Sequence, residues 1–530
     1  MSVYYGVCVL LFNENNMIHT SPAKGRDAVL LRGSGCFLLF LNLYWMIGAG
    51  LILSGCSQKE SSDAAIQNEI AVDKTAKSLQ PARETKKNES LQQKEMPADF
   101  TKNKKSKTAK NTSRTKLQPE TVLNRQHLRA LGFDIFESRN LLLVSDAVQA
   151  EKQDLFEKLP DIVDQLTKRF CSDYPQTPDQ VQLTGYVMRD RSLYLQAKLL
   201  SDDFANIEHG ANRGRAFWMN EQKTDYYRRH LLIHEAVHCL MDLKPHRWPV
   251  WYLEGMAEYY AIHQMGPDQN IQFGIAPAAS QIEGGFGRLQ LIRDEIRAGQ
   301  FRTITQIRQL NVNNFYPHKT SYAWSWALCY FLATHPETHQ KFLQLERYRD
   351  LQHFNQFFDQ VFPAEDAKLN AQWAVFVSSL VAGYDIKRGS ISWNHTDKNE
   401  RKQSVIIQVD RSWQSSNIQV FKGKEYRIKA SGHFSVAQKP IPWECEPQGV
   451  SIDYVDGQPL GQLQAVLFHP DQPGKDNDSG FLHLIPVSRQ LNFKPKQNGE
   501  LFFRINDRGS SWGDNKGTVT ISVKETVSSS

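Results

Sequence analysis

The chain has 530 residues, 40% of them hydrophobic and 11% aromatic, enough for two or three domains with buried cores. The formal net charge is +6, and residues 57–120 alone hold 14 Lys and Arg against 9 Asp and Glu, so the remainder is close to neutral. That balance, with no nucleic-acid motif beside it, argues against a nucleic-acid partner; seven scattered cysteines without a CxxC pair argue against a cysteine-ligated metal and exclude a dense disulfide framework.

Residues 36–53 form a nearly continuous apolar run, with Lys24, Arg26 and Arg32 before it. A charged region followed by a hydrophobic one is what a secretory signal requires, and Met17 gives it a more usual length as a start than Met1 does. The run ends in Leu53-Ser54-Gly55-Cys56, whose small residues leave room for a peptidase. This block resembles the lipobox of bacterial lipoproteins, which implies that Cys56 carries the lipid and that 1–56 is a signal peptide. About 18 apolar residues also suit a plain membrane-spanning anchor. Either reading exports the rest of the chain, and the first ties it by lipid to a bacterial outer membrane or cell surface. Residues 57–120 are rich in Lys, Ser, Thr, Gln and Asn, too poor in apolar surface to offset ordering entropy, and read as a basic tether.

Folded sequence is expected from residue 121. Residues 140–144, NLLLV, predict a buried strand, and 181–187 another. Between them Leu155, Leu159, Ile162, Leu166 and Phe170 recur at helical spacing. Next comes His234-Glu235-Ala236-Val237-His238, in a stretch free of Gly and Pro. On a helix, positions i and i+4 share a face, so both imidazoles can reach one zinc ion, with Glu235 adjacent as a general base. Zinc needs a third protein ligand. Glu254 lies in the run Trp251-Tyr252-Leu253-Glu254-Gly255-Met256-Ala257-Glu258-Tyr259, with Pro245 and Pro249 breaking the chain before it and small Gly255 and Ala257 suiting close helix approach. Glu258, one turn on, competes for that role or else orients a histidine. Cys239 and Cys329 read as core packing, His246 and His263 as surface residues.

These blocks resemble the gluzincin metallopeptidases, in which HExxH is followed by a helix reading W-L-x-E-G-x-A. The spacing is shorter than in aminopeptidase N-like members, which implies a relative of that group. The resemblance implies that Glu254 is the third zinc ligand. It also matches the segment from Thr320 to Leu328 to the gluzincin block whose tyrosine donates to the oxyanion, here Tyr322. The implied reaction is peptide hydrolysis: zinc activates water, Glu235 takes its proton and passes it to the leaving amine, and Tyr322 helps hold the oxyanion. Residues 214–220, GRAFWMN, are expected as an edge strand that pairs with an extended peptide. No Gly-x-Met-x-Asn block for a free N-terminus is present, which favours endopeptidase action.

From residue 398 short alternating runs appear at 404–409, 426–430, 464–468, 499–505 and 518–523, separated by Gly, Asn, Asp and Pro. Such spacing predicts an antiparallel β-sandwich. The loop Asn506-Asp507-Arg508-Gly509-Ser510-Ser511-Trp512-Gly513-Asp514-Asn515 resembles that of the PA-I type galactophilic calcium-dependent bacterial lectins. The resemblance implies Asp507, Ser511, Asp514 and Asn515 as calcium ligands, a backbone carbonyl from 432–436, and glycan binding.

The sequence thus predicts an α+β, mostly helical, zinc peptidase domain at 121–390 and an all-β lectin-like domain at 398–530. Its expected partners are a peptide or protein substrate, a membrane reached through lipid, and glycans. The rival reading is a carbohydrate-binding surface lipoprotein whose peptidase-like domain is inactive.

Overall fold

A computed structural model describes residues 123–174, 181–204, 206–243, 248–268, 270–275, 287–348, 350–393, 403–438, 441–471 and 479–526. All of them lie in the second of two compact units, Asn111–Ser530. The apolar run, Cys56, the tether, Pro245 and His246 lie outside the described residues. Among the described residues no helix is long and apolar enough to cross a membrane.

The chain opens with helix α1 (Arg125–Ala130), strands β1 (Asp134–Glu137) and β2 (Leu141–Ser145), and the long helix α2 (Gln153–Asp173). Strand β3 (Leu183–Met188), helix α3 (Arg191–Gln196) and strands β4 (Gly210–Arg213) and β5 (Ala216–Asn220) follow. Together the strands make one sheet in the order β1-β2-β3-β5-β4. Its centre, β2-β3-β5, is parallel, and both outer pairs are antiparallel. Central strands buried on both faces carry the near-continuous apolar runs that mark them in sequence. The 214–220 expectation is corrected here. Residues 216–220 pair on both sides, with β3 and with β4, so the free edge belongs to β4.

Helix α4 (Asp225–Asp242) starts at Thr224, whose hydroxyl accepts the Tyr227 N–H at 3.3 Å. Pro249 precedes α5 (Val250–Ala261), where its fixed φ and missing N–H suit a helix start. Strands β6 (His263–Met265) and β7 (Ile271–Phe273) form a hairpin. Six helices then follow: α6 (Gly287–Arg297), α7 (Ile304–Arg308), α8 (Val312–Phe315), α9 (Lys319–Thr334), α10 (His339–Leu343) and α11 (Leu351–Val361). Helices α12 (Ala367–Ser379) and α13 (Ile386–Gly389) complete this part. Nearly every residue of α9 is buried, as expected of a helix apolar all round. Gly255 lets α5 approach α9: a methyl there would meet Ser325 O and Cys329 Sγ, each at 2.6 Å. The small residue therefore serves the contact between α5 and α9.

The C-terminal part is all β and antiparallel. Its strands are β8 (Ser404–Gln408), β9 (Gln414–Val420), β10 (Glu425–Ser431), β11 (Phe434–Ser435), β12 (Glu444–Cys445) and β13 (Gln448–Val455). They continue with β14 (Gln458–Phe468), β15 (Ile485–Pro486), β16 (Gln490–Phe493), β17 (Gly499–Ile505) and β18 (Lys516–Thr526). One sheet runs β12-β11-β18-β10-β16 with β8 beside β18; the other runs β13-β14-β17-β9 with β15 beside β14. A core including Ile407, Val420, Ile428, Leu463, Phe503 and Ile521 lies within this part. Strands β9 and β13 escaped the pattern reading. Asn417 adopts φ 56° within β9, and the β13–β14 register slips between Val450 and Tyr454, so strict alternation fails in both.

Candidate metal centre

Helix α4 places His234 and His238 one turn apart, their Nε2 atoms 3.1 Å from each other. Helix α5 brings Glu254 against both. Its Oε2 lies 3.5 Å from His234 Nε2 and 3.4 Å from His238 Nε2. A tetrahedral ion with ligands at 2.0–2.1 Å needs ligand atoms about 3.3–3.4 Å apart, which these three distances match. Two imidazole nitrogens and one carboxylate oxygen are also a donor set suited to zinc. Among the described residues this is the group of three or more His, Cys, Asp or Glu side chains close enough to share an ion.

All three residues are buried, so their charges are set by each other. Burial by itself would lower the His238 imidazole, but the adjacent Glu254 carboxylate carries it up to about 9. Burial opposes ionisation of Glu254 too, and His238 and His234 outweigh it, holding that carboxyl well below the usual carboxylate range. Glu235 is also buried, and burial pushes its carboxyl up against the pull of the two histidines.

Glu258 lies outside this group and packs behind its histidines. Its Oε1 faces His234 Nδ1 at 3.6 Å and its Oε2 lies 3.4 Å from His230 Nε2. Arg288, from α6, donates to it through Nη2 at 2.6 Å and Nε at 3.1 Å. A carboxylate behind a ligating imidazole fixes the ring's tautomer and direction. His230 sits one turn before His234, so helical spacing could have flagged it. Arg288 carries no sequence signal, since it reaches the site from a helix 30 residues beyond Glu258.

Tyr322 stands in the first turn of α9, with the Arg288 guanidinium 5.1 Å over its ring. The hydroxyl that touches Glu254 is another one. Tyr316, at the end of α8, donates to Glu254 Oε1 at 3.2 Å. Sequence reasoning passed over it because six residues on a better-matching block offered Tyr322. Cys239 and Cys329 are fully buried, as expected of core. The surface reading of His263 is corrected: it is 1% exposed, stacked on Tyr226 at 4.5 Å, and its Nε2 accepts from Arg229 Nε at 3.2 Å.

Beside the centre runs the edge strand β4. The Asn220 N–H donates to His209 O at 2.8 Å. By the alternation of antiparallel pairs, Gly210 and Asn212 turn their N–H and C=O groups to the open edge. The side chain of Asn212 points the other way, to α4, where its Nδ2 donates to Asp242 Oδ2 at 2.8 Å.

In the β part, Asp507 and Asn515 meet: Asn515 Nδ2 donates to Asp507 Oδ2 at 2.9 Å and to Val409 O at 3.0 Å. Burial pushes the Asp507 carboxyl up to about 6, and Asn515 Oδ1 is buried with no partner among the described residues. Asp514 is exposed and Ser511 half-buried, in a turn closed by Ser511 N–H to Arg508 O at 2.9 Å. Phe434 pairs with Gly517 and Ser435 with Lys516, which brings the 432–436 segment beside the loop.

A family model described as "Protein of unknown function (DUF1570)" matches residues 230–349, the span that holds His234, His238, Glu254 and both tyrosines. No curated protein matches the chain. Among solved structures, "EclA N-terminal domain; PllA-like lectin" is 18% identical, covering 24% of this chain and 97% of its own, at a TM-score of 0.18.

Proposed function

We propose that the chain is a zinc-dependent peptide hydrolase whose ion is held by His234, His238 and Glu254. One observation carries the reading: three ligand atoms of the right chemistry converge at 3.1–3.5 Å beside another buried carboxyl, that of Glu235. Zinc, when bound, supplies Lewis acidity to a scissile carbonyl and acidity to water. Glu235 takes a proton from the attacking water and gives it to the leaving amine. Its raised affinity for protons suits a group that must hold one between the two events. Tyr316 offers a hydroxyl at the edge of the ligand set, where charge develops on the carbonyl oxygen. Glu258 orients His234 and is itself held by Arg288 and His230. Strand β4 presents the outward N–H and C=O of Gly210 and Asn212, the groups an extended peptide needs to add as a strand.

The test is metal analysis of the purified chain beside a His234→Ala, His238→Ala double variant. One zinc per chain, lost in the double variant, is expected. Glu235→Gln should keep the zinc while peptide hydrolysis falls by about 10³-fold or more, as loss of a general base requires. Wild-type protein that stays metal-free after reconstitution would sink the reading. Export and lipid attachment at Cys56 belong to the same proposal and rest on the Leu-Ser-Gly-Cys block. Lipid labelling that persists in Cys56→Ser would remove them.

A further inference from the structure

We propose that Gly210 is a positioning residue for Glu235, and that its missing side chain is the space in which the base rests; the proposal builds on the metal-centre reading above. A methyl at 210 would lie 2.8 Å from Glu235 Cδ and 2.9 Å from Cγ, and closer still to Oε1. Carbon atoms in contact stay about 3.5–4.0 Å apart, so the whole end of the side chain would have to move. It has little room to do so, since Glu235 is 5% exposed on the buried face of α4.

Gly210 and Asn212 are two residues apart on a strand and share a face. Asn212 is tied to Asp242 at the far end of α4, so that face of β4 lies against the helix that carries the base. Gly210 does not adopt a positive φ, so its backbone conformation does not call for glycine. The side-chain space is what singles out glycine. The same residue turns its N–H and C=O to the free edge, where the substrate strand would add.

The test is a double-mutant cycle in the full chain: wild type, Gly210→Ala, Glu235→Asp, and both together. The shorter aspartate places no atom where Glu235 Oε1 lies, the closest contact of the methyl, so the two changes must couple if contact is the mechanism. In the wild-type background Gly210→Ala should lower kcat about 100-fold with KM little changed, the usual cost of a misplaced catalytic group. In the Glu235→Asp background the same change should cost no more than about three-fold. A readout independent of turnover is binding of acetohydroxamate to the zinc-loaded proteins. Its hydroxyl proton needs a carboxylate acceptor, so affinity should fall about ten-fold in Gly210→Ala. Azide, which takes the metal without giving up a proton, should bind both alike. An equal loss of kcat in the two backgrounds, unchanged acetohydroxamate affinity, or zinc loss confined to Gly210→Ala would overturn this proposal alone. Wild-type protein without zinc would instead overturn the metal-centre reading and this one with it.

Discussion

Two tyrosines stand near the centre and do different things. Tyr316 gives its hydroxyl to Glu254, while the ring of Tyr322 lies under Arg288. Burial pushes both phenols well up, so each keeps its proton to donate. Removing a donor at the oxyanion costs about 10²–10³-fold in kcat, and that loss is expected for Tyr316→Phe. For Tyr322→Phe the expected loss is below about ten-fold, because the ring contact survives. Steady-state kinetics on both variants decide it, and the reverse order would return the role to Tyr322. Elsewhere in the helical part, His335 is 2% exposed, and burial lowers its imidazole to about 4 against a hydrogen bond to Gln372. A histidine kept neutral in the fold stabilises above its unfolded pKa of about 6.5, and that contribution is lost as pH falls toward 4. His335→Gln should therefore recover about 2–3 kcal/mol of the stability that the wild type loses between pH 7 and 4.5. Urea unfolding at the two pH values measures this, and parallel losses in both proteins would refute it.

At the scale of elements, the centre depends on how closely three helices approach. Helix α4 brings His234 and His238 together by its own period. Helix α5 brings Glu254 to them while Gly255 lets it lie against Ser325 and Cys329 of α9. Gly255→Ala should cost about 1–3 kcal/mol by overpacking, despite alanine's better helix propensity. Since Glu254 is the neighbouring residue, zinc affinity should fall with stability. Chelator competition on the folded variant reads this directly, and unchanged affinity would show that α5 shifts without moving its ligand. The sheet teaches a complementary lesson. Runs at 140–144 and 181–187 were legible as strands because buried central strands are apolar throughout. Which strand forms the free edge was not, because edge position depends on pairing order and not on local pattern.

For the whole molecule, the loop read as lectin-like is the joint between the two parts. Trp512 is fully buried and meets Tyr384 edge-on at 5.9 Å. A methyl on Gly509 would meet Ser379 O at 2.6 Å, and Gly509 O accepts the Asp385 N–H at 3.0 Å. Ser392 and Trp413 add a backbone hydrogen bond at 2.8 Å across the same joint. The residues read as calcium ligands, Asp507, Ser511, Asp514 and Asn515, thus lie at this joint. Trp512→Ala should destabilise the chain by about 3–5 kcal/mol, as loss of a buried aromatic does. Because the ring sits in the core of the helical part, both parts should melt together and earlier. Calorimetry showing an unchanged helical transition would contradict that.

The His-Glu-x-x-His spacing, the Glu254 helix and the alternating C-terminal runs were determined by the sequence alone, because each is a local periodicity. An α-helix brings i and i+4 to one face whatever surrounds it. Contacts between residues distant in the chain were decided only by the tertiary structure. Arg288 reaches Glu258 from α6, Tyr316 reaches Glu254 across 62 residues, and Gly210 makes room for Glu235 from a neighbouring strand. The lectin-like loop shows the same limit: its residues were visible in the sequence, but what covers Trp512 was not, because burial is a property of the partner surface.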